Sequence, residues 1–84
     1  MSILSLSQMK AGEQGEVKEL VGQGELCHRL SEMGITCGTR IEVVRFAPLG
    51  DPIDIKIRGY HLSLRRREAE AIRVSLSDQT KNVN

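Results

Sequence analysis

The sequence has no tryptophan, and Phe46 and Tyr60 are the only aromatic residues among its 84. The core must therefore be built from isoleucine, leucine and valine, and a nucleic-acid platform that stacks bases on aromatic rings is disfavoured. An excess of one charge is also lacking, because 12 Lys and Arg residues against 11 Asp and Glu residues leave a net charge of +1. This balance argues against non-specific binding to DNA, RNA or an anionic membrane.

Long apolar runs are missing as well. No segment approaches the ~18 consecutive apolar residues of a membrane span, and the first ten residues have neither a charged start nor a sustained apolar stretch. We therefore expect no secretory signal and no direct membrane insertion. Two cysteines without an export signal predict a reducing, cytoplasmic setting. The length predicts a single domain over residues 1–76, followed by a flexible polar tail at 77–84.

One segment in the first half of the chain has a clear helical period. Leu26, Leu30 and Met33 recur at positions i, i+4 and i+7, which share one face of an α-helix. Gly34 follows, and glycine most readily adopts the left-handed conformation that ends a helix. Ile35 is then placed to pack back on Leu30. A helix of about ten residues is marginal alone in water, so its apolar stripe must cover another part of the chain.

Alternating apolar and polar residues predict β-strands elsewhere. Five strands are expected, at residues 16–21, 39–47, 53–58, 60–65 and 72–76. The doublet Val43-Val44 interrupts the alternation of the second strand, which is typical of a β-bulge. Short strands separated by glycine corners, with one helix and a helical turn before the last strand, predict a mainly β fold. We expect a small five-stranded barrel with the helix packed against it.

Four short motifs follow one another along the chain. They are RLSEMGI at 29–35, CGTRI at 37–41, APLGDP at 47–52 and GYHLSLR at 59–65. In order and spacing they resemble the FeoA family, ferrous iron transport protein A. The resemblance implies an SH3-like barrel and a non-enzymatic, cytoplasmic accessory protein of bacterial ferrous iron uptake. The implied partner is FeoB, the membrane transporter with a cytoplasmic GTPase region.

A role in iron transport raises the question of a metal site. The candidate ligands are Cys27, His28, Cys37, Asp51, Asp54 and His61. They show no Cys-x-x-Cys or His-x-x-x-His spacing. Cys27 and His28 are consecutive on the predicted helix, so their side chains point about 100° apart and cannot easily bind one ion. We expect buried, reduced cysteines, exposed histidines, and neither a metal site nor a cofactor. Because no nucleophile–base pattern or phosphate-binding loop is present either, we predict no enzymatic activity.

Two stretches are candidates for contact with a partner, a proline-flanked turn and an arginine cluster. The candidate partner-binding residues are Leu49, Gly50, Asp51, Arg65, Arg66 and Arg67. An isolated exposed leucine and a solvated charged face are the ordinary interpretations of such stretches. Two alternatives stay open: a nucleic-acid-binding barrel that uses these arginines with Arg58, and a transition-metal-responsive barrel that acts through Cys27 or Cys37. Pairing of sheet edges would allow a homo-oligomer.

Overall fold

Short strands account for most of the elements in the computed structural model, which describes residues 3–76. In chain order the elements are β1 (Ile3–Ser5), a 3-10 turn (Leu6–Gln8), β2 (Gln14–Leu20), α1 (Gly24–Glu32), β3 (Arg40–Phe46), β4 (Ile53–Ile57), β5 (Tyr60–Leu64), α2 (Arg66–Ala69) and β6 (Ile72–Leu76). The tail predicted at 77–84 lies outside the described residues. The predicted domain boundary therefore stays a prediction.

All six strands belong to one antiparallel sheet, in the order β1-β6-β2-β3-β4-β5. The predicted mainly β fold, with one helix and a helical turn before the last strand, is confirmed. The sheet has one strand more than the five expected, because β1 pairs with β6, placing Ile3 opposite Ser75. Three residues are too few to show an alternating pattern, so this strand could not be predicted from periodicity.

Two shifts of register bend the sheet. In the β3–β4 pair the shift falls between Val43 and Arg45, which confirms the bulge predicted at the valine doublet. Val43 is buried, whereas Val44 is exposed. A second shift falls between Val17 and Glu19 in the β2–β6 pair. Because a bulge increases the local twist of a strand, these two positions help six short strands to curve around one core.

The core is aliphatic, as the scarcity of aromatic residues required. Strands β2 to β6 all contribute fully buried side chains: Val17, Val43, Ile53, Ile55, Leu64, Ile72 and Val74. Leu30 is the one buried residue of α1, while Leu26 and Met33 are half-buried against the same core. The helix thus docks through its predicted stripe, with Leu30 at the centre of the contact.

The end of α1 is closed by a backbone bond within its cap and held to the sheet by a side-chain bond. Gly34 has a φ of +95°, and the N–H of Ile35 donates to the carbonyl of Leu30 at 3.0 Å. This is the glycine-ended cap predicted from the sequence. The hydroxyl of Tyr60, at the start of β5, donates to the carbonyl of Met33 at 3.1 Å.

Among the helices in residues 3–76, none has the length and apolarity needed to cross a membrane.

Candidate partner-binding site

The turn between β3 and β4 projects a leucine into solvent. Leu49 is 92% exposed, as expected for a leucine at this position. The turn is closed by two backbone bonds: the N–H of Gly50 donates to the carbonyl of Ala47 at 2.7 Å, and the N–H of Ala47 donates to the carbonyl of Pro52 at 3.0 Å. Leu49 is therefore presented on a hydrogen-bonded turn, close to the edge of the core but outside it.

Asp51 joins this turn to α2. Its Oδ1 accepts a hydrogen bond from the backbone N–H of Arg66 at 2.9 Å. Arg66 is the first residue of α2, so its N–H has no acceptor within the helix. The register of the β4–β5 pair, with Ile53 opposite Leu64, returns the chain to the turn and makes this contact possible.

The two candidate stretches are consequently one continuous surface. We call it the tip–arginine surface, and it consists of Leu49, Gly50, Asp51, Arg65, Arg66 and Arg67. Its members are brought together by a contact between residues 15 positions apart in the sequence. That these residues bind a partner stays a prediction.

The three arginines of this surface differ in their contacts. The Nε of Arg66 lies 3.9 Å from the Oε2 of Glu70, which is a weak, exposed pair. Arg65 and Arg67 are exposed and make no ion pair with any residue between 3 and 76. Together with Asp51 they line a surface depression of about 250 Å³. Two guanidinium groups of this surface therefore have no ion-pair partner among residues 3–76.

Glu68 lies on the buried side of α2. It was not among the predicted site residues. Its side chain is only 9% exposed, and its Oε2 lies 3.2 Å from Nη2 of Arg29 on α1. Its Oε1 accepts the backbone N–H of Arg65 at 2.9 Å, which caps the start of α2. A buried carboxylate needs such partners to offset its desolvation. The signal in the sequence was the spacing of three residues between the cap position and a glutamate.

Arg58 lies away from the tip–arginine surface. It belongs to the turn between β4 and β5, so the length of β4 separates it from the turn that carries Leu49. Arg58 has a φ of +48° and lines a different depression, of about 170 Å³, with Arg40 and Lys56. The structure does not bring Arg58 together with the arginines at 65–67 into the single basic patch that a nucleic-acid-binding barrel would use.

A larger groove, of about 960 Å³, runs along the other side of α2 towards α1. Its apolar lining comes from Val21, Leu26 and Ala71, and charged side chains including Arg29 and Arg67 flank it. Arg67 is the one residue of the tip–arginine surface that also lines this groove. Leu49, Gly50 and Asp51 belong to the β3–β4 turn itself, and Arg65 and Arg66 lie next to it through Asp51.

The candidate metal ligands remain scattered. Within residues 3–76, no group of three His, Cys, Asp or Glu side chains is placed to hold a metal ion. The prediction that both cysteines are buried is wrong: Cys27 is half-buried and Cys37 is exposed. Cys37 lies in the short link between α1 and β3, which runs over the surface, and its thiol donates to the carbonyl of Lys18 at 3.3 Å. The histidines at 28 and 61 are exposed, as predicted.

Asp54, another candidate ligand, is engaged by its neighbours on the sheet. The hydroxyl of Ser63 donates to its Oδ1 at 2.8 Å, and Nε of Arg45 donates to its Oδ2 at 3.0 Å. Both contacts favour the charged carboxylate, so the Ser63 hydroxyl first and Arg45 second hold the pKa of Asp54 below its ordinary value of 3.8. The residue therefore has a structural role in joining β3, β4 and β5.

This depressed pKa predicts a defined pH dependence. Asp54 contributes stability above pH 3.8, its ordinary value, and loses that contribution as the pH falls through the lower pKa of the folded protein. Replacing Ser63 with alanine is expected to raise the pKa of Asp54 towards 3.8 in an NMR titration, because the main bond that favours the charged form is removed. Ser31→Ala, at an exposed position on α1, serves as the control. An unchanged pKa in Ser63→Ala would contradict the assigned cause.

Comparisons with known proteins identify the chain's relatives in sequence. The FeoA domain model matches residues 4–76. The Fe(2+) transport protein A/Fe(2+) transporter FeoB fusion protein of Porphyromonas gingivalis is 40% identical over 73 residues. That alignment covers 87% of this chain and 9% of the fusion protein. The chain thus spans less than a tenth of the length of this relative.

Solved structures give the same assignment. The solution structure of FeoA from Chlorobium tepidum is 41% identical, covers 87% of this chain and 70% of its own, and superposes with a TM-score of 0.80. The crystal structure of Stenotrophomonas maltophilia FeoA complexed with zinc, described as an SH3 domain protein, is 22% identical, with a TM-score of 0.74 and coverage of 86% and 89%. This second likeness concerns the fold alone and confirms the SH3-like prediction. Because the family model matches nearly the whole chain, the protein belongs to the FeoA family.

Proposed function

We propose that this protein is a non-enzymatic, cytoplasmic accessory protein of ferrous iron transport that binds a FeoB-type transporter through the tip–arginine surface. Membership of the FeoA family supports the role in ferrous iron transport. The fusion relative supports association with the transporter, since its printed name joins protein A and FeoB in one chain. Such a fusion raises the effective concentration of one partner at the other, which helps two proteins that already work together.

The observation that carries the choice of surface is an exposed leucine on the same surface as two arginines that make no ion pair within residues 3–76. Leu49 is 92% exposed, on a turn whose backbone is already hydrogen-bonded. Burying a leucine side chain in an interface is worth about 1.5–3 kcal/mol, and a pre-formed turn loses little conformational entropy on binding. Arginine is enriched among the residues that dominate binding energy. Arg65 and Arg67 therefore complement the leucine as contact residues.

The absence of an activity of its own is part of the proposal. Within residues 3–76, the Ser63 hydroxyl donates to a carboxylate whose lowered pKa makes it a poor base, so this pair is unsuited to generating a nucleophile. The residues that stand out on the surface are suited to recognition. We assign the protein an effect on the transporter through binding alone.

The test is association with the full-length FeoB-type transporter in detergent, under reducing conditions. Leu49→Asp places a charge where an apolar contact is proposed, and Arg66→Glu reverses a charge beside it. We expect each variant to weaken binding at least tenfold, a loss of about 1.4 kcal/mol or more.

The matched control is Ile3→Asp, because Ile3 is 55% exposed and lies on β1, outside the tip–arginine surface. This variant is expected to bind like the unaltered protein, and circular dichroism checks that all three variants fold. Absence of association by the unaltered protein, or equal weakening by Ile3→Asp and Leu49→Asp, contradicts the proposal.

A further inference from the structure

We infer that the counterpart of the tip–arginine surface is an apolar pocket bordered by carboxylates on a protein partner. The inference rests on the proposed function, since it uses the same surface and specifies what that surface recognises. Three observations lead to it: the shape of the protrusion, the unpaired arginines, and the absence of an aromatic residue from the surface itself.

The shape of the turn calls for a concave partner. Leu49 is flanked by Pro48 and by Gly50, which has no side chain, so the leucine is the one large apolar group at the end of the turn. A flat partner would contact the end of this side chain and leave its sides in water. A pocket of leucine size removes most of the side chain from water, which is the arrangement in which a single residue contributes most to affinity.

The charges around the leucine call for acidic groups at the rim of that pocket. Arg65 and Arg67 have no ion pair within the described residues, and the Oδ1 of Asp51 is already occupied by the N–H of Arg66. Covering an unpaired guanidinium group without an acceptor is costly, so a partner that buries Leu49 and extends over Arg65 and Arg67 must offer acceptors to them. Carboxylates match the guanidinium fork in a bidentate geometry.

The same features disfavour a nucleic acid as the ligand. Phosphates would satisfy the arginines, but a phosphate backbone offers no pocket for a leucine. Base stacking would need an aromatic ring on this surface, whereas Tyr60 lies at the opposite end of β5 from Arg65 and Phe46 is half-buried against the core. A protein surface provides both the apolar pocket and the acidic rim.

The test is the affinity for the full-length FeoB-type transporter in detergent, measured at 50 and 500 mM NaCl. We expect the dissociation constant of the unaltered protein to rise at least fivefold with salt, because screening weakens the exposed charge contacts. Arg65→Glu/Arg67→Glu is expected to bind at least tenfold more weakly at low salt and not to weaken further at high salt, because screening now reduces a repulsion between glutamates and the acidic rim. Leu49→Ala is expected to weaken binding at both salt concentrations by a similar factor, leaving the salt dependence intact.

The control is Lys56→Glu/Arg58→Glu, which makes the same change of charge at the opposite end of β4. It is expected to bind within twofold of the unaltered protein. A salt-independent dissociation constant, or equal losses in the two double variants, overturns the acidic rim while leaving transporter binding in place. No binding by the unaltered protein overturns the proposed function itself. Tight binding of a random-sequence single-stranded RNA that Arg65→Glu/Arg67→Glu abolishes overturns the choice of a protein partner.

Discussion

Replacing Leu30 with alanine is expected to lower the free energy of unfolding by about 3–4 kcal/mol. Leu30 is completely buried and is the one residue of α1 that lies fully within the core. The substitution removes apolar burial and leaves a cavity between α1 and the sheet, and both effects destabilise the folded state. A domain of this size has a total stability of roughly 4–12 kcal/mol, so the loss is a large share of it. Urea unfolding followed by circular dichroism measures the change.

The matched control is the same chemical change at an exposed position. Leu49→Ala removes the same atoms from a side chain that is 92% exposed, so we expect a change within about 0.5 kcal/mol. A loss in Leu30→Ala no larger than that in Leu49→Ala would contradict the placement of α1 on the core. A large loss in Leu49→Ala would contradict the exposure of the turn, and with it the use of Leu49 as a free binding residue.

Replacing Gly15 with alanine is expected to cost about 3 kcal/mol, for the opposite reason. Gly15 lies on β2 opposite Leu76 of β6, and a Cβ at this position would overlap Cγ1 of Val74 and stand 2.6 Å from the carbonyl oxygen of Ser75. The second contact is with backbone, which cannot turn aside as a side chain does. The β2–β6 pair would have to separate locally, inside the sheet.

Gly24→Ala is the control for this glycine. Gly24 begins α1, and a Cβ there would meet no atom within 4 Å. Because alanine favours helix more than glycine does, we expect this variant to be unchanged or more stable by up to about 1 kcal/mol. Thermal unfolding of both variants decides the point. Equal melting temperatures for Gly15→Ala and the unaltered protein would show that β2 and β6 are farther apart than described.

Of the two stability predictions, the one at Leu30 concerns a part of the fold that periodicity revealed, and the one at Gly15 concerns a part that it did not. The stripe of α1 was predictable, because a helix repeats every 3.6 residues and Leu26, Leu30 and Met33 follow that repeat. The isoleucines of β4 were predictable from strict alternation. The close approach at Gly15 was not, since it depends on how far apart two strands distant in sequence lie. The exposure of Cys37 was also missed, because residue type alone favours burial of a cysteine.

In the candidate site, too, some features were predictable from the local sequence and others depend on the folded chain. Its members were identified as a proline-flanked turn and an arginine cluster, on local composition alone. That they form one surface follows from the Asp51–Arg66 contact, which requires the β4–β5 pair to return the chain to the turn. The buried position of Glu68 likewise depends on Arg29 arriving from α1. Local patterns predict elements and exposed residues, whereas contacts between elements need the folded chain.

The arrangement around α2 also explains why so short a helix can support a binding surface. A four-residue helix has almost no stability of its own. Here Asp51 accepts the N–H of Arg66 and Glu68 accepts the N–H of Arg65, so two carboxylates hold the backbone at the start of α2. The surface is therefore already formed before a partner arrives, which lowers the entropic cost of binding.

The most direct measurement of the central claim is hydroxyl-radical footprinting of this protein with and without the full-length FeoB-type transporter. Leu49 is the side chain to follow, and Ile3 and Tyr60, which are 55% and 42% exposed, report on regions away from the turn. We predict that the oxidation rate of Leu49 falls at least threefold in the complex while the rates of Ile3 and Tyr60 stay the same. An unchanged rate at Leu49, with protection at Tyr60 instead, would contradict the tip–arginine surface as the site of contact.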